Sequence, residues 1–197
     1  MTDFSTVEKN LRDRGYKVCS FGSGKEAADY LAAELKGKSV GIGGSMTIKE
    51  LGLYDRLSEG STVYWHWETG PETRADAASA QVYLTSVNGL AETGEIINID
   101  GAGNRVASTL YGHEKIYYVV GRNKLAETYD DALWRARNIA SPKNARKLGR
   151  KTPCAINADK CYDCKSPDRI CRGLVVMWEP MMNMEAEVIL IDEELGF

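Results

Sequence analysis

The stretch Ser23–Glu50, SGKEAADYLAAELKGKSVGIGGSMTIKE, packs a helix, a strand, a glycine turn and the start of a second helix into 28 residues. Its opening SGKE (Ser23–Glu26) fits a capping box: the Ser oxygen accepts one orphan helix N–H and the Glu side chain reaches back to another. Ala28, Leu31 and Leu35 then fall on one helical face, and the helix stops at Gly37. SVGIGG (Ser39–Gly44) is an apolar run without alternation, as a strand covered on both faces requires. TIKE (Thr47–Glu50) caps the next helix, which runs toward Leu57.

Outward from this stretch the alternation repeats. TVYWHW (Thr62–Trp67) reads as a strand, PETRADAASAQ (Pro71–Gln81) as a helix with Pro in its first turn, and VYLTSV (Val82–Val87) as a strand. Upstream, YKVCSF reads as a strand in which Cys19 is a small buried hydrophobe. Strand–helix–strand repetition predicts crossover units and a parallel, Rossmann-like sheet. The pattern then changes: GEIINI and RVASTLY flank DGAGN, which predicts an inserted antiparallel hairpin with glycines at its bends. KIYYVVG (Lys115–Gly121) returns as a buried strand. A long helix follows with Leu125, Tyr129, Ala132, Leu133, Ala136 and Ile139 inward. SPKNARKLG restarts a helix with Ser141 as cap and Pro142 at its first position. GLVVMWEP and EVILID close the chain as strands. No repeat or linker-like shift divides it, so we expect one α/β domain over residues 1–197, with a Cys-rich loop at 152–172.

The 197 residues suffice for one well-filled core, and a net charge of −3 argues against a general nucleic-acid binder. The basic run KNARKLGRK (Lys143–Lys151) is expected to be a solvated or partner-facing helix surface. No apolar stretch has the length of a membrane span, and MTDFSTVEKN lacks the charged-then-apolar pattern of a secretion signal. A cytoplasmic location with reduced thiols is the expectation. Of the two histidines, His66 reads as packed between tryptophans and His113 as a loop residue.

Ligands of open α/β sheets bind beyond the carboxyl ends of the strands. GIGGSMT (Gly41–Thr47) lies there, and its bare backbone N–H groups with Gly43, Gly44, Ser45 and Thr47 suit a phosphate or carboxylate. An ordinary βα turn would look the same. TSVNGLAETGEIINIDGAGNR (Thr85–Arg105) is more informative, because acids, amides and an arginine crowd around glycine turns. Glu92, Glu95 and Asp100 are the candidate acid–base groups. Asn88, Asn104 and Arg105 are the candidate ligand holders, with Arg105 suited to a small anionic ligand. Asp100 and Asn104 would also serve as ordinary turn residues.

Four of five cysteines fall within Cys154–Cys171, at gaps of six, two and six residues. In a reducing compartment Cys154, Cys161, Cys164 and Cys171 suggest metal ligation, and four thiolates suit either zinc or an iron–sulfur cluster. The spacing matches neither a zinc ribbon nor a ferredoxin, and a metal-free thiol cluster stays open.

GIGGSMTIKELGL, TSVNGLAETGEIINIDGAGNRVASTLYGHEKIYYVVGRNK and VILIDEELGF resemble the LUD-domain family, the lactate-utilization (LutC/YkgG-like) proteins, over nearly the whole chain. The resemblance implies a fold like the NagB/RpiA/CoA-transferase group. There the glycine loop and the acidic segment near the later hairpin line the substrate site. It also implies an accessory or redox role in oxidation of lactate or a related organic acid, beside an iron–sulfur or flavin protein partner. That context tilts the metal toward iron–sulfur. The alternatives are a stand-alone enzyme on a small phosphorylated or acyl substrate with a Glu general base, and a metal-dependent binding or regulatory module. Nothing in the sequence sets the oligomeric state.

Overall fold

The computed structural model describes residues 2–197. Helix α1 (Ser5–Asp13) leads to β1 (Lys17–Phe21), α2 (Gly24–Glu34), β2 (Ser39–Ile42), α3 (Met46–Glu50), α4 (Leu53–Ser58), β3 (Thr62–Trp65), α5 (Arg74–Ser79) and β4 (Val82–Thr85). Then come β5 (Gly89–Ala91), β6 (Ile96–Asp100), α6 (Asn104–Leu110), β7 (Lys115–Gly121), β8 (Leu125–Ala126), α7 (Tyr129–Arg135), α8 (Ser141–Lys147), α9 (Pro153–Asn157), β9 (Gly173–Met177) and β10 (Glu185–Ile191). Six strands form one parallel sheet in the order β1-β10-β7-β4-β2-β3, and the other four form a mixed sheet in the order β8-β5-β6-β9. This is the expected α/β architecture with an inserted antiparallel hairpin.

The runs without alternation are central strands, buried on both faces. Along β7, Ile116, Tyr118 and Val120 face one layer, with Val188 and Leu190 of β10, Tyr83 of β4 and Leu11 of α1. Tyr117 and Val119 face the other, with Ile189, Ile191, Leu84 and the α2 and α4 leucines Leu31, Leu35, Leu53 and Leu57. Every one of these side chains is at most 1 % exposed, so water is excluded from both faces of the sheet. The second sheet packs Leu90, Ile96 and Met177 onto the first layer and is covered on its outer face by Ala132 of α7 and by Ala136 just beyond it.

Local signals held where side-chain chemistry decides the backbone. Ser23 and Glu26 form the reciprocal capping box expected of them. Four readings need correction. The hairpin is β5–β6, turning at residues 92–95, and RVASTLY is helix α6 rather than a returning strand. Its Val, Thr and Tyr content imitates a strand, but Thr109 turns its hydroxyl back to the Val106 carbonyl and is buried within the helix. The cap of α3 is Ser45, which accepts from the Ile48 N–H; Thr47 lies inside the helix and donates to the Leu195 carbonyl at 3.2 Å. Leu125 belongs to the short strand β8, so α7 begins only at Tyr129, capped by Thr128. Finally, α7 and α8 are not separated by a cap. A π-helical turn over Ala136–Ala140 joins them, Ser141 is itself helical, and its hydroxyl donates to the Ala136 carbonyl at 2.9 Å. Pro142 has no N–H to give, and the wider turn accommodates it without ending the helix.

Candidate functional site

The direction of chain travel reverses between β2 and β4: β3 lies to one side of β2, while β4, β7 and β10 follow on the other. Such a switch opens a crevice beyond the carboxyl ends of the strands. The crevice here is a cleft of about 640 Å³. The loops after β2 (Gly44, Ser45), β4 (Ser86–Asn88), β7 (Lys124) and β10 (Phe197) form its floor. Opposite stand the end of β6 with its following turn (Ile99–Arg105), the π turn and α8 (Ala140, Ser141, Asn144), and Pro167–Arg172 of the Cys-rich loop. The glycine turn can lie this close because it has no side chains. A Cβ on Gly43 would sit 2.9 Å from both Arg105 Cγ and the Tyr83 hydroxyl.

Of the residues singled out from sequence, Gly44, Ser45, Asn88, Asp100, Asn104 and Arg105 line this one cleft. Gly43 and Thr47 lie behind the lining, supporting it. Glu92 and Glu95 are elsewhere. They sit in the turn at the other end of β6, with Glu95 about 17 Å of extended chain from Asp100. There Glu95 pairs with Arg14 of α1 at 2.5 Å and accepts the Thr93 hydroxyl, while Asn10 donates to the Glu92 carbonyl at 2.7 Å. Those glutamates staple the hairpin to α1, and no general base for the cleft comes from them.

Arg105 lines the cleft with its guanidinium already engaged. Its Nη1 donates to Ser86 O and Asn98 Oδ1, its Nη2 to Asn88 Oδ1 and Ile99 O, and its Nε faces Asp100 Oδ2 at 3.5 Å. Asp100 Oδ1 in turn accepts from the Ala102 and Gly103 N–H groups. The pair fixes the turn that shapes one wall. Burial pulls the Arg105 guanidinium below its ordinary value, and the Asp100 carboxylate opposes that pull.

The charge left over is carried by residues that sequence reading missed. Lys124, at the exit of β7, is 4 % exposed, and its Nζ donates to the Val87 carbonyl at 3.3 Å. Among the described residues it is ion-paired to no carboxylate. Burial, then the nearby charges of Arg135 and Arg105, pull its ammonium down to about 7 against a weaker opposing pull from the Glu50 carboxylate. Arg135, 7 % exposed, donates to the Asn123, Asn88 and Phe197 oxygens and also has no acidic side chain beside it; burial lowers it to about 10. Six lining residues are basic, Arg74, Arg105, Lys124, Arg150, Arg169 and Arg172, against the acids Asp100 and Asp168. Asp168 already accepts the Lys151 N–H at 3.1 Å. The lining therefore carries an excess of positive charge. The sequence signals that could have found Lys124 and Arg135 are a lysine just beyond a buried strand and an arginine between the inward Ala132 and Ala136.

The basic run forms part of the rim. Asn144, Leu148 and Arg150 line the cleft, and Lys147 Nζ lies 3.4 Å from the centre of the Trp67 ring. His66, expected to be packed away, also reaches the lining beside Trp67, and burial with the Arg74 charge lowers its imidazolium. His113 is buried rather than in an open loop, with Nδ1 2.7 Å from the Ala80 carbonyl.

The four loop cysteines do not meet. Cys154 shares a hydrogen bond with the Thr152 hydroxyl, and Cys161 Sγ accepts the Asp163 N–H. Arg169 ties the Cys164 and Cys171 carbonyls together, and these two cysteines open on a smaller hollow of about 390 Å³. Among the described residues no group of three or more Cys, His, Asp or Glu side chains is placed to hold a metal ion. The four-thiolate zinc or iron–sulfur site is therefore not formed in this arrangement of the loop. Also among the described residues, no helix is long and apolar enough to cross a membrane.

The family model for the LUD domain matches residues 5–191. A crystal structure of a DUF162 family protein from Deinococcus radiodurans superimposes with a TM-score of 0.58 at 15% identity, covering 97% of this chain and 99% of that one. At that identity the likeness shows the fold. Ribose 5 phosphate isomerase A from Neisseria gonorrhoeae matches at a TM-score of 0.35 and 13% identity over 64% of this chain and 61% of that one, too weak a likeness to carry an argument. No curated protein matches the sequence.

Proposed function

The chain belongs to the LUD-domain family, and from that premise we propose that its cleft binds a small organic-acid anion. In this reading the protein is an accessory or redox subunit in oxidation of lactate or a related acid. The family is associated with lactate utilization, and an iron–sulfur or flavin protein would be the electron-carrying partner. One observation carries the ligand class: Lys124 is buried in the cleft lining, close to the charges of Arg135 and Arg105, and among the described residues no carboxylate is ion-paired to it. An unpaired buried cation is costly, and an incoming carboxylate offsets that cost by replacing water with a charge-assisted hydrogen bond.

The chain's own residues divide the work. Arg105 and Asp100 hold the wall, Ser45 and Gly44 offer a close backbone approach, and Asn88 and Asn104 present amides to the ligand's polar groups. Trp67, with Lys147 across it, closes the rim against water. No step requires Glu92 or Glu95.

Calorimetry with lactate, pyruvate and the neutral lactamide tests the reading. Both acids should bind and the amide should not, with affinity falling as Lys124 is replaced by Met. Equal binding of acid and amide, or of neither acid, overturns it. Copurification of an iron–sulfur or flavin protein with the tagged chain tests the subunit role, and purified chain that oxidises lactate alone overturns it.

A further inference from the structure

We propose that the ε-amino group of Lys124 forms an imine with the carbonyl carbon of a small 2-oxo acid held in the cleft. The inference rests on the organic-acid reading above and narrows it, because an imine requires a carbonyl beside the carboxylate.

The geometry that suits Lys124 to meet an acid also suits it to act as a nucleophilic amine. Lys124 comes from the loop at the carboxyl end of a central strand, within the cleft lining, and its stem is buried. Among the described residues no carboxylate is ion-paired to its nitrogen; the Val87 carbonyl accepts one N–H at 3.3 Å and aims the amine. Its surroundings are fixed. Asn123 Oδ1 accepts from the Leu195 N–H at 3.1 Å, Thr47 donates to the Leu195 carbonyl, and a Cβ on Gly196 would sit 3.3 Å from Nζ. The tail and the β7 exit loop thus hold the amine in place without crowding it. Arg105 and Arg135 act as cationic neighbours, which favour the neutral, nucleophilic amine over the ammonium, as does burial. Arg74 and Arg150 of the lining add the positive charge that draws in the substrate's carboxylate, so recruiting the acid and activating the amine fall to different residues.

The step balances within the cleft. The amine nitrogen bonds to the carbonyl carbon, the carbonyl oxygen leaves as water with the two amine protons, and a C=N bond remains. Nothing is oxidised or reduced. The imine would draw electrons from the adjacent carbon and hold the acid in a defined pose for a partner's chemistry.

The test incubates the full-length protein with pyruvate and cyanoborohydride near neutral pH and maps the reduced adduct by mass spectrometry of peptides. Calorimetry with pyruvate and lactate runs in parallel. We expect one pyruvate-dependent adduct, on Lys124, accumulating on the order of tenfold or more faster than on any exposed lysine, as positioned groups do. Lactate, which has no carbonyl, should slow it by competition, and Lys124→Arg should abolish it. Pyruvate binding without an adduct at Lys124, or adducts spread over exposed lysines, overturns the imine and leaves the organic-acid reading standing. Binding of neither acid, with no adduct, overturns both. The wild-type peptide map decides the question even if the variant fails to fold.

Discussion

The two ends of the parallel sheet treat buried charge in opposite ways. At the amino end, Lys115 of β7 and Glu187 of β10 pair at 2.6 Å, and Tyr30 donates to the same carboxylate at 2.7 Å. Burial alone would raise the Glu187 carboxyl, but the hydrogen bonds from Lys115 and Tyr30 hold it below its ordinary value. Burial alone would lower Lys115, and Glu187 with Tyr117 holds it above. At the carboxyl end, Lys124 and Arg135 are buried with no ion-paired acidic side chain among the described residues, and both are pulled down, Lys124 against a weaker opposing pull from Glu50. A satisfied pair is explained by the fold itself. An unsatisfied cation, on the edge where α/β sheets bind ligands, points beyond the fold to what enters the cleft.

The contrast breaks first if Glu187→Ala is harmless. That change leaves Lys115 buried without its acid, so we expect a loss of about 3–5 kcal/mol in urea denaturation. Acid binding in the cleft should be unaltered. Stability from this pair is present above the ordinary Glu pKa and is lost as pH falls through the lowered value; it is also lost as pH rises through the raised Lys115 value. A variant as stable as the wild type would make the amino-end cluster no anchor.

Lys124→Met should do the reverse. With its ammonium pulled from 10.5 to about 7, the unfolded chain holds a proton across that window that the folded chain has released. Stability of the wild type therefore rises with pH from about 7 to 10.5, and the Met variant should lose that slope. Met should therefore stabilise the apo protein at pH 7, by an amount that shrinks as pH rises toward 10.5. Carboxylate binding should weaken by about 1.5–3 kcal/mol, the range for a hydrogen bond to a charged group. A Met variant that is less stable yet binds normally would turn Lys124 into an ordinary structural residue.

Glu95→Gln is the smaller test, on a charge that looked functional in the sequence. The Arg14 pair is partly exposed, so its loss should cost about 0.5–1 kcal/mol, with no change in acid binding or its pH profile. A binding defect would return the far end of the hairpin to the site.

These residues show what a sequence reveals about such a cleft and what it hides. Uniformly apolar runs such as KIYYVVG could only be central strands, and the capping chemistry of Ser23 and Glu26 set a helix start; both depend on local physics. The polar block Thr85–Arg105 was visible as a whole, but it folds as a hairpin whose two ends return to the cleft while its middle, the turn at Glu92–Glu95, is carried a strand's length away to α1. Lys124 and Arg135 looked ordinary, because the absence of a counter-charge is a property of three-dimensional neighbours. The cysteine loop was conspicuous by count alone, yet its polypeptide bonds to itself through Arg169, and only part of it reaches the cleft.

The mildest test asks whether that loop belongs to the cleft end of the sheet. Cys171 lines the cleft and shares the smaller hollow with Cys164, while Cys154 and Cys161 line neither. All five cysteines are free thiols of intermediate burial, so a small alkylating reagent can distinguish them by rate. A saturating organic acid should slow alkylation of Cys171 by roughly severalfold, through occlusion and ordering of Pro167–Arg172, and leave Cys154 unchanged. The order of protection is the informative part. Uniform rates with and without acid would detach the loop from the site. Joint protection of all four loop thiols, released by a chelator, would mean that they close around a metal ion by a rearrangement of this loop, since each sulfur as placed faces a different neighbour. Selective protection of Cys171 would place the loop where its contacts put it, as a wall of the anion cleft.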